Sequence, residues 1–167
     1  MLFLVLYILA LLFASAHTLM RRSTLNRREV TEIFLLYVFA FSYGLAGLIG
    51  FMGHGLRPEE TAVRIGWPAH QQFQFELGGI ELGWALAAFL CLVIRNKYYW
   101  LGVAITPAVG LLMAGGLHIH EVLAEGNFAP YNAGIIVPDL LAPLTVLGLI
   151  WYYFHLTDES SEKRETV

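Results

Sequence analysis

Charge is scarce in this chain. Only 14% of its 167 residues are Asp, Glu, Lys or Arg, against about 25% in an ordinary soluble domain. The 10 basic residues are outnumbered by 13 acids, for a net charge of -3, which argues against nucleic acid as a partner. A single cysteine, Cys91, excludes an intrachain disulfide framework and any cysteine-based zinc spacing. There is no HExxH segment, no ExxH pair of the ferritin type, no quinone or haem signature and no internal repeat. The lack of a repeat weighs against a transporter built from inverted halves.

What remains is apolar: 57% of the residues are hydrophobic and mean hydropathy is +0.63. Five stretches approach the roughly 20 residues that an α-helix needs to cross a bilayer: about Leu2 to Met20, Thr31 to Met52, Phe73 to Ile94, Trp100 to Leu117 and Ile135 to Phe154. Ala14-Ser15-Ala16 resembles a signal cleavage site, but no basic segment precedes the first stretch, and Arg21, Arg22, Arg27 and Arg28 follow it. That order predicts a retained helix. The expectation is an all-α integral membrane bundle of five transmembrane helices in one domain, residues 1–156, with a polar tail over 157–167.

The basic residues orient the bundle. Arg21, Arg22, Arg27, Arg28, Arg95, Lys97, Lys163 and Arg164 fall on one side of a five-span chain, and only Arg57 and Arg64 on the other. The positive-inside rule makes the first side cytoplasmic and the N-terminus external. Tyr98, Tyr99, Trp100, Trp151, Tyr152 and Tyr153 then fall at the inner boundary, as an aromatic belt would. The expected location is a bacterial inner membrane. Between the second and third spans, Pro58-Glu59-Glu60 followed by Arg64 predicts a short helix near 58–65, with proline and acids in its first turn, lying in the interface. Glycines at 44, 47, 50 and 53, at 79 and 83 and at 110, 115 and 116 predict close helix contacts, and Pro143 predicts a kink.

The remaining polar groups are unusual for their depth. Glu81 falls about 12 Å below the start of its helix at 1.5 Å per residue, where an isolated charge costs at least ~2.5 kcal/mol. It must be neutralised, paired or hydrogen-bonded. Glu76 precedes it by five residues, about 140° around the helix. His118 and Glu121, three apart, can share a face, and Asp139 opens the last span. Topology brings Glu76, Glu81, His118, Glu121 and Asp139, with His54, His70 and His120, to the external half. Imidazole and carboxylate together suit a transition metal, with Glu76, His118 and Glu121 as its ligands. They suit proton transfer equally well, and a purely structural buried network also fits. His17 and His155 are expected at the cytoplasmic interface.

Gly53-His54, Ile65-Gly66-Trp67-Pro68, Phe73-Gln74-Phe75-Glu76-Leu77-Gly78, Gly116-Leu117-His118-Ile119 and Ala129-Pro130-Tyr131-Asn132-Ala133-Gly134 resemble a family of small bacterial and archaeal membrane proteins known only as a domain of unknown function. The resemblance covers about residues 30 to 155. It implies a multi-helix membrane fold and no activity.

Three functional expectations follow. The first is a polar pocket near the external face, lined by Glu76, Glu81, His118, Glu121 and Asp139, that binds a ligand or metal. The second is an accessory subunit packing into a larger membrane complex or a homo-oligomer. The third is a membrane enzyme using a Glu/His site on a lipophilic substrate.

Overall fold

The structure, a computed structural model, describes the backbone of residues 1–165 and the side chains of residues 1–156. The described residues are helical and turn segments with no strand. Long helix α1 spans Leu2–Met20. Helix α2 runs Arg27–His54 and contains a π-helical segment, Phe39–Leu45. A short α3, Pro58–Ile65, leads to α4, Gln71–Leu90. Helix α5 covers Lys97–Glu125, its last turn again π-helical. A single turn, α6, Pro130–Ala133, precedes α7, Ile136–Glu165.

Local chemistry accounts for the boundaries. Asn26 caps α2 in a reciprocal box with Glu29, satisfying two backbone donors that would otherwise be orphaned. Asn96 does the same for α5 through the amides of Tyr98 and Tyr99. Pro58 opens α3, Glu59 and Glu60 sit in its first turn, and Gly66 ends it with φ +88°. That backbone conformation favours glycine.

Four stretches are long and apolar enough to cross a membrane: Leu2–Met20, Arg27–His54, Lys97–Glu125 and Pro130–Leu156. The fifth expected span is also a helix, the 20-residue α4, but it is not among those four. Gln71, Gln72, Gln74, Glu76 and Glu81 dilute its apolar character. The polar tail expected over 157–167 lies, in its side chains and its last two residues, outside the described residues; the α7 backbone continues helically through Glu165.

The bundle has two unlike halves. Near the basic end, Leu35, Val38, Phe39, Ala88, Cys91, Trp100, Val146 and Tyr153 form a closed apolar core. Trp100 is only 1% exposed and its indole donates to the carbonyls of Ile94, at 2.8 Å, and Cys91, which ties off the end of α4. Tyr153 is buried too, with its hydroxyl accepting from Arg28. These two rings were expected in an interfacial belt. Their N–H and O–H find protein partners, so the core takes them; Tyr98 and Trp151 remain exposed. The opposite half, around the α2–α3 and α5–α6 connections, packs around polar side chains instead.

The glycine expectations divide. A Cβ on Gly47 or Gly50 would collide with α4, and one on Gly110 with the Trp84 ring. Gly79, Gly83 and Gly116 face nothing within 4 Å, so the Gly79/Gly83 face is not a contact within this chain.

Candidate functional site

A cavity of about 200 Å³ opens inside the polar half. Glu81 reaches it from α4, His118 from α5, Asp139 from α7, and His54, Ser42 and Tyr43 from α2. The π-helical turn of α2 carries Ser42 and Tyr43 to its wall; an extra residue in a turn re-aims side chains that a regular helix would point elsewhere. Trp84, seated on Gly110, lines the side between α4 and α5.

Two histidines are oriented by amides. The Asn132 side-chain nitrogen donates to the carbonyl of Asn127 at 2.7 Å and of His118 at 3.4 Å. Its oxygen is therefore turned to His118 Nδ1, which must carry the proton, since an amide oxygen only accepts. His54 Nδ1 likewise donates to Gln74 Oε1. In each neutral ring Nε2 is left as an acceptor. For His54 that atom lies 3.9 Å from Glu81 Oε1, beyond a direct hydrogen bond.

Glu81 is the least satisfied group. Among the described residues neither its Oε2 nor Ser42 Oγ, both buried, has a hydrogen-bond partner. Both residues line this cavity. Gly50 makes room for the carboxylate: a Cβ there would lie 2.5 Å from Oε1. Asp139 is 8% exposed and shares the wall. Buried carboxyl groups at such depth are costly unless something hydrogen-bonds to them.

The expected site residues thus separate. Glu81, His118 and Asp139 line one cavity, and His54 joins them. Glu76 does not: it is exposed on the outer face of α4, as its angular offset from Glu81 requires. His70 and His120 are exposed as well. Glu121 is buried but already engaged. It accepts from the Trp67 indole at 2.7 Å and from Asn127 at 2.9 Å. Glu76, His118 and Glu121 therefore do not assemble as metal ligands. Among the described residues no group of three His, Cys, Asp or Glu is arranged to hold a metal ion.

Glu121 instead belongs to a clasp over the cavity. Trp67 stacks on His118 with ring centroids 5.9 Å apart. Asn127 donates to the carbonyl of Ile65 at 3.0 Å, and its amide packs where a Cβ on Gly66 would sit. Alongside, Arg64 donates to the Tyr131 hydroxyl at 2.7 Å and pairs with Glu60. The Tyr131 hydroxyl and the Glu60 charge hold the Arg64 guanidinium above its ordinary pKa. The segments 53–54, 65–68, 74, 118 and 127–134, scattered in sequence, meet here.

Ser42, Tyr43, Trp67, Gln74, Asn127 and Asn132 take part in the site beyond the five residues expected to line it. Gln74 had a usable signal: it precedes Glu81 by seven residues, two turns, and so shares its face. Only 1% of it is exposed.

The described residues form an all-helical chain with four helices long and apolar enough to cross a membrane, the mark of a polytopic membrane protein, and a cavity in one half. The chain belongs to DUF6790, a family of unknown function, whose profile matches residues 1–159. That match takes in the first helix, which the sequence resemblance left out. No curated protein and no solved structure matches the chain.

Proposed function

We propose that this protein binds a small, largely apolar molecule bearing a hydrogen-bond donor, such as a hydroxyl or amine, in the cavity beneath the clasp. The observation that carries this reading is that two residues lining one cavity, Glu81 and Ser42, hold buried oxygens, Oε2 and Oγ, with no hydrogen-bond partner among the described residues. A donor delivered to Glu81 offsets the cost of burying its carboxyl group. Asp139 and the His54 and His118 rings supply further acceptors, and the remaining wall is mostly apolar, as in small-molecule sites generally.

On this reading α4 is a fifth span, with Gln74 and Glu81 turned inward and Gln71, Gln72 and Glu76 exposed in its first two turns. The distribution of the basic residues supports an external position for the cavity half in a bacterial inner membrane, with α3 in the interface. After Cys91→Ser, an impermeant maleimide applied to intact cells should label Glu125→Cys and spare Arg95→Cys. Labelling of Arg95→Cys alone would invert the orientation.

Denaturing extraction of the purified chain tests the binding reading. A co-purifying small molecule should be depleted in Glu81→Ala and Asp139→Ala and retained in Glu76→Gln. Equal recovery from all three variants would remove the cavity from consideration.

Two other roles have some support. The open Gly79/Gly83 face favours a subunit role, since small residues allow close helix approach from another chain. The His54–Glu81 pair favours an enzyme, because an unprotonated Nε2 beside a carboxyl group can pass a proton. Sedimentation in detergent distinguishes the first of these: a monomer would leave the glycine face to lipid.

A further inference from the structure

A second cavity, of about 340 Å³, lies beside the first on the outer flank of the clasp. Arg57, Arg64, Phe3, Ile49, Met52 and Ile135 are among the residues that line it. The combination is unusual for this chain. Among the described residues, these are the two Lys or Arg side chains that line either cavity. Arg57 is the residue just before α3 and Arg64 lies in its last turn, and both line this cavity.

The two guanidinium groups differ in availability. Arg64 is committed on one side to Tyr131 and Glu60. Arg57 contributes its backbone to the start of α3, and its side chain has no protein partner among the described residues. Glu60 also lines the cavity, but Arg64 already neutralises it. The surplus charge is therefore positive and belongs to Arg57. Beneath it the wall is aliphatic and aromatic, contributed by the first turn of α1 and the last turns of α2. A cation above an apolar trough matches an amphiphile with an anionic head and a hydrocarbon tail. A guanidinium fork matches the paired oxygens of a phosphate, as it does those of a carboxylate, and phosphate is the anionic group that membrane lipids carry in their heads.

We propose that this second cavity is a phosphate site with an apolar wall, holding the headgroup of a phosphate-bearing lipid between Arg57 and Arg64. Its tail lies against Phe3, Ile49 and Met52. The site is separate from the Glu81 cavity, although Phe3, His54, Ile65 and Ile135 border both, and neither reading depends on the other.

Native mass spectrometry of the full chain in neutral detergent provides the test, with dioleoyl phosphatidate as the probe and dioleoylglycerol as the tail-matched control. The first phosphatidate should bind, and Arg57→Gln should weaken it roughly tenfold, the size of one lost charge-assisted hydrogen bond. Arg57→Lys should restore part of the affinity. Because the Arg57 side chain makes no hydrogen bond or ion pair among the described residues, the Gln variant should keep the parent's thermal unfolding midpoint. If inorganic phosphate competes at the same concentration as the lipid, the phosphate chemistry stands and free phosphate is its source. If it does not compete, the source is the lipid. Retention of dioleoylglycerol equal to that of phosphatidate, or an Arg57→Gln variant that binds as the parent does, would overturn the proposal.

Discussion

Gly78 and Gly79 are adjacent on α4 and should respond in opposite ways to the same substitution. A Cβ on Gly78 would lie 2.5 Å from the Gly55 amide nitrogen and 2.7 Å from its Cα. These are backbone atoms, with no rotamer to yield. Reaching an ordinary carbon contact requires α2 and α4 to part by about 1 Å. That separation loosens the His54–Gln74 bond and the fit of Glu81 over Gly50. Overpacking of this kind costs about 1–3 kcal/mol. A Cβ on Gly79 meets nothing within 4 Å. Alanine is favoured over glycine in a water-exposed helix by about 1 kcal/mol, and by less where the unfolded chain stays helical in detergent, so Gly79→Ala should be neutral or slightly stabilising. The two variants should therefore differ by ~2 kcal/mol, or roughly 4–8 °C in unfolding midpoint for a chain of this size. Thermal unfolding of both in one detergent, followed by tryptophan fluorescence, measures the difference. A Gly78→Ala protein at least as stable as Gly79→Ala would show that α2 and α4 do not approach as described.

Other substitutions separate the roles assigned to the acids. Glu121→Ala strands the Trp67 indole and removes one of the two acceptors of the Asn127 amide, and should lower stability by about 1–3 kcal/mol, with Glu121→Gln costing less; an unfolding midpoint unchanged by Glu121→Ala would refute the clasp. Glu76→Gln should leave both stability and ligand retention as they are, because that carboxylate meets no cavity wall; loss of the co-purified molecule in this variant would restore Glu76 to the site. Asn132→Leu removes the acceptor that orients His118 and leaves its Nδ1–H buried and unpaired. A loss of at least ~1 kcal/mol is expected, and His118 ring NMR shifts identical to the parent's would contradict that orientation.

Much of the helical order was legible because lipid solvation demands long apolar stretches, and α1, α2, α5 and α7 carry them plainly. The separation of Glu76 from Glu81 was also legible, since five residues of helix turn them about 140° apart. Other features had no local signal. The π-helical turn that presents Ser42 and Tyr43 arises in a sequence, Phe39–Leu45, with neither proline nor charge to mark it. Trp100 and Tyr153 looked interfacial by type; the first is held by carbonyls six and nine residues back and the second by an arginine 125 residues away. Glu121 had the chemistry of a ligand, yet Trp67, 54 residues earlier, takes its oxygen. Side chains that satisfy one another across loops of this length leave no periodicity to read.

The clasp also fixes an order of assembly. Trp67 emerges from the ribosome long before Glu121, Asn127 and Asn132 exist to receive it. The earliest helices must enter the bilayer with Glu81 unroofed and the indole unpartnered. The cavity becomes enclosed only when the α5–α6 connection is complete, so a nascent chain halted before residue 121 would expose that interior to proteases and quality-control machinery that the finished protein excludes.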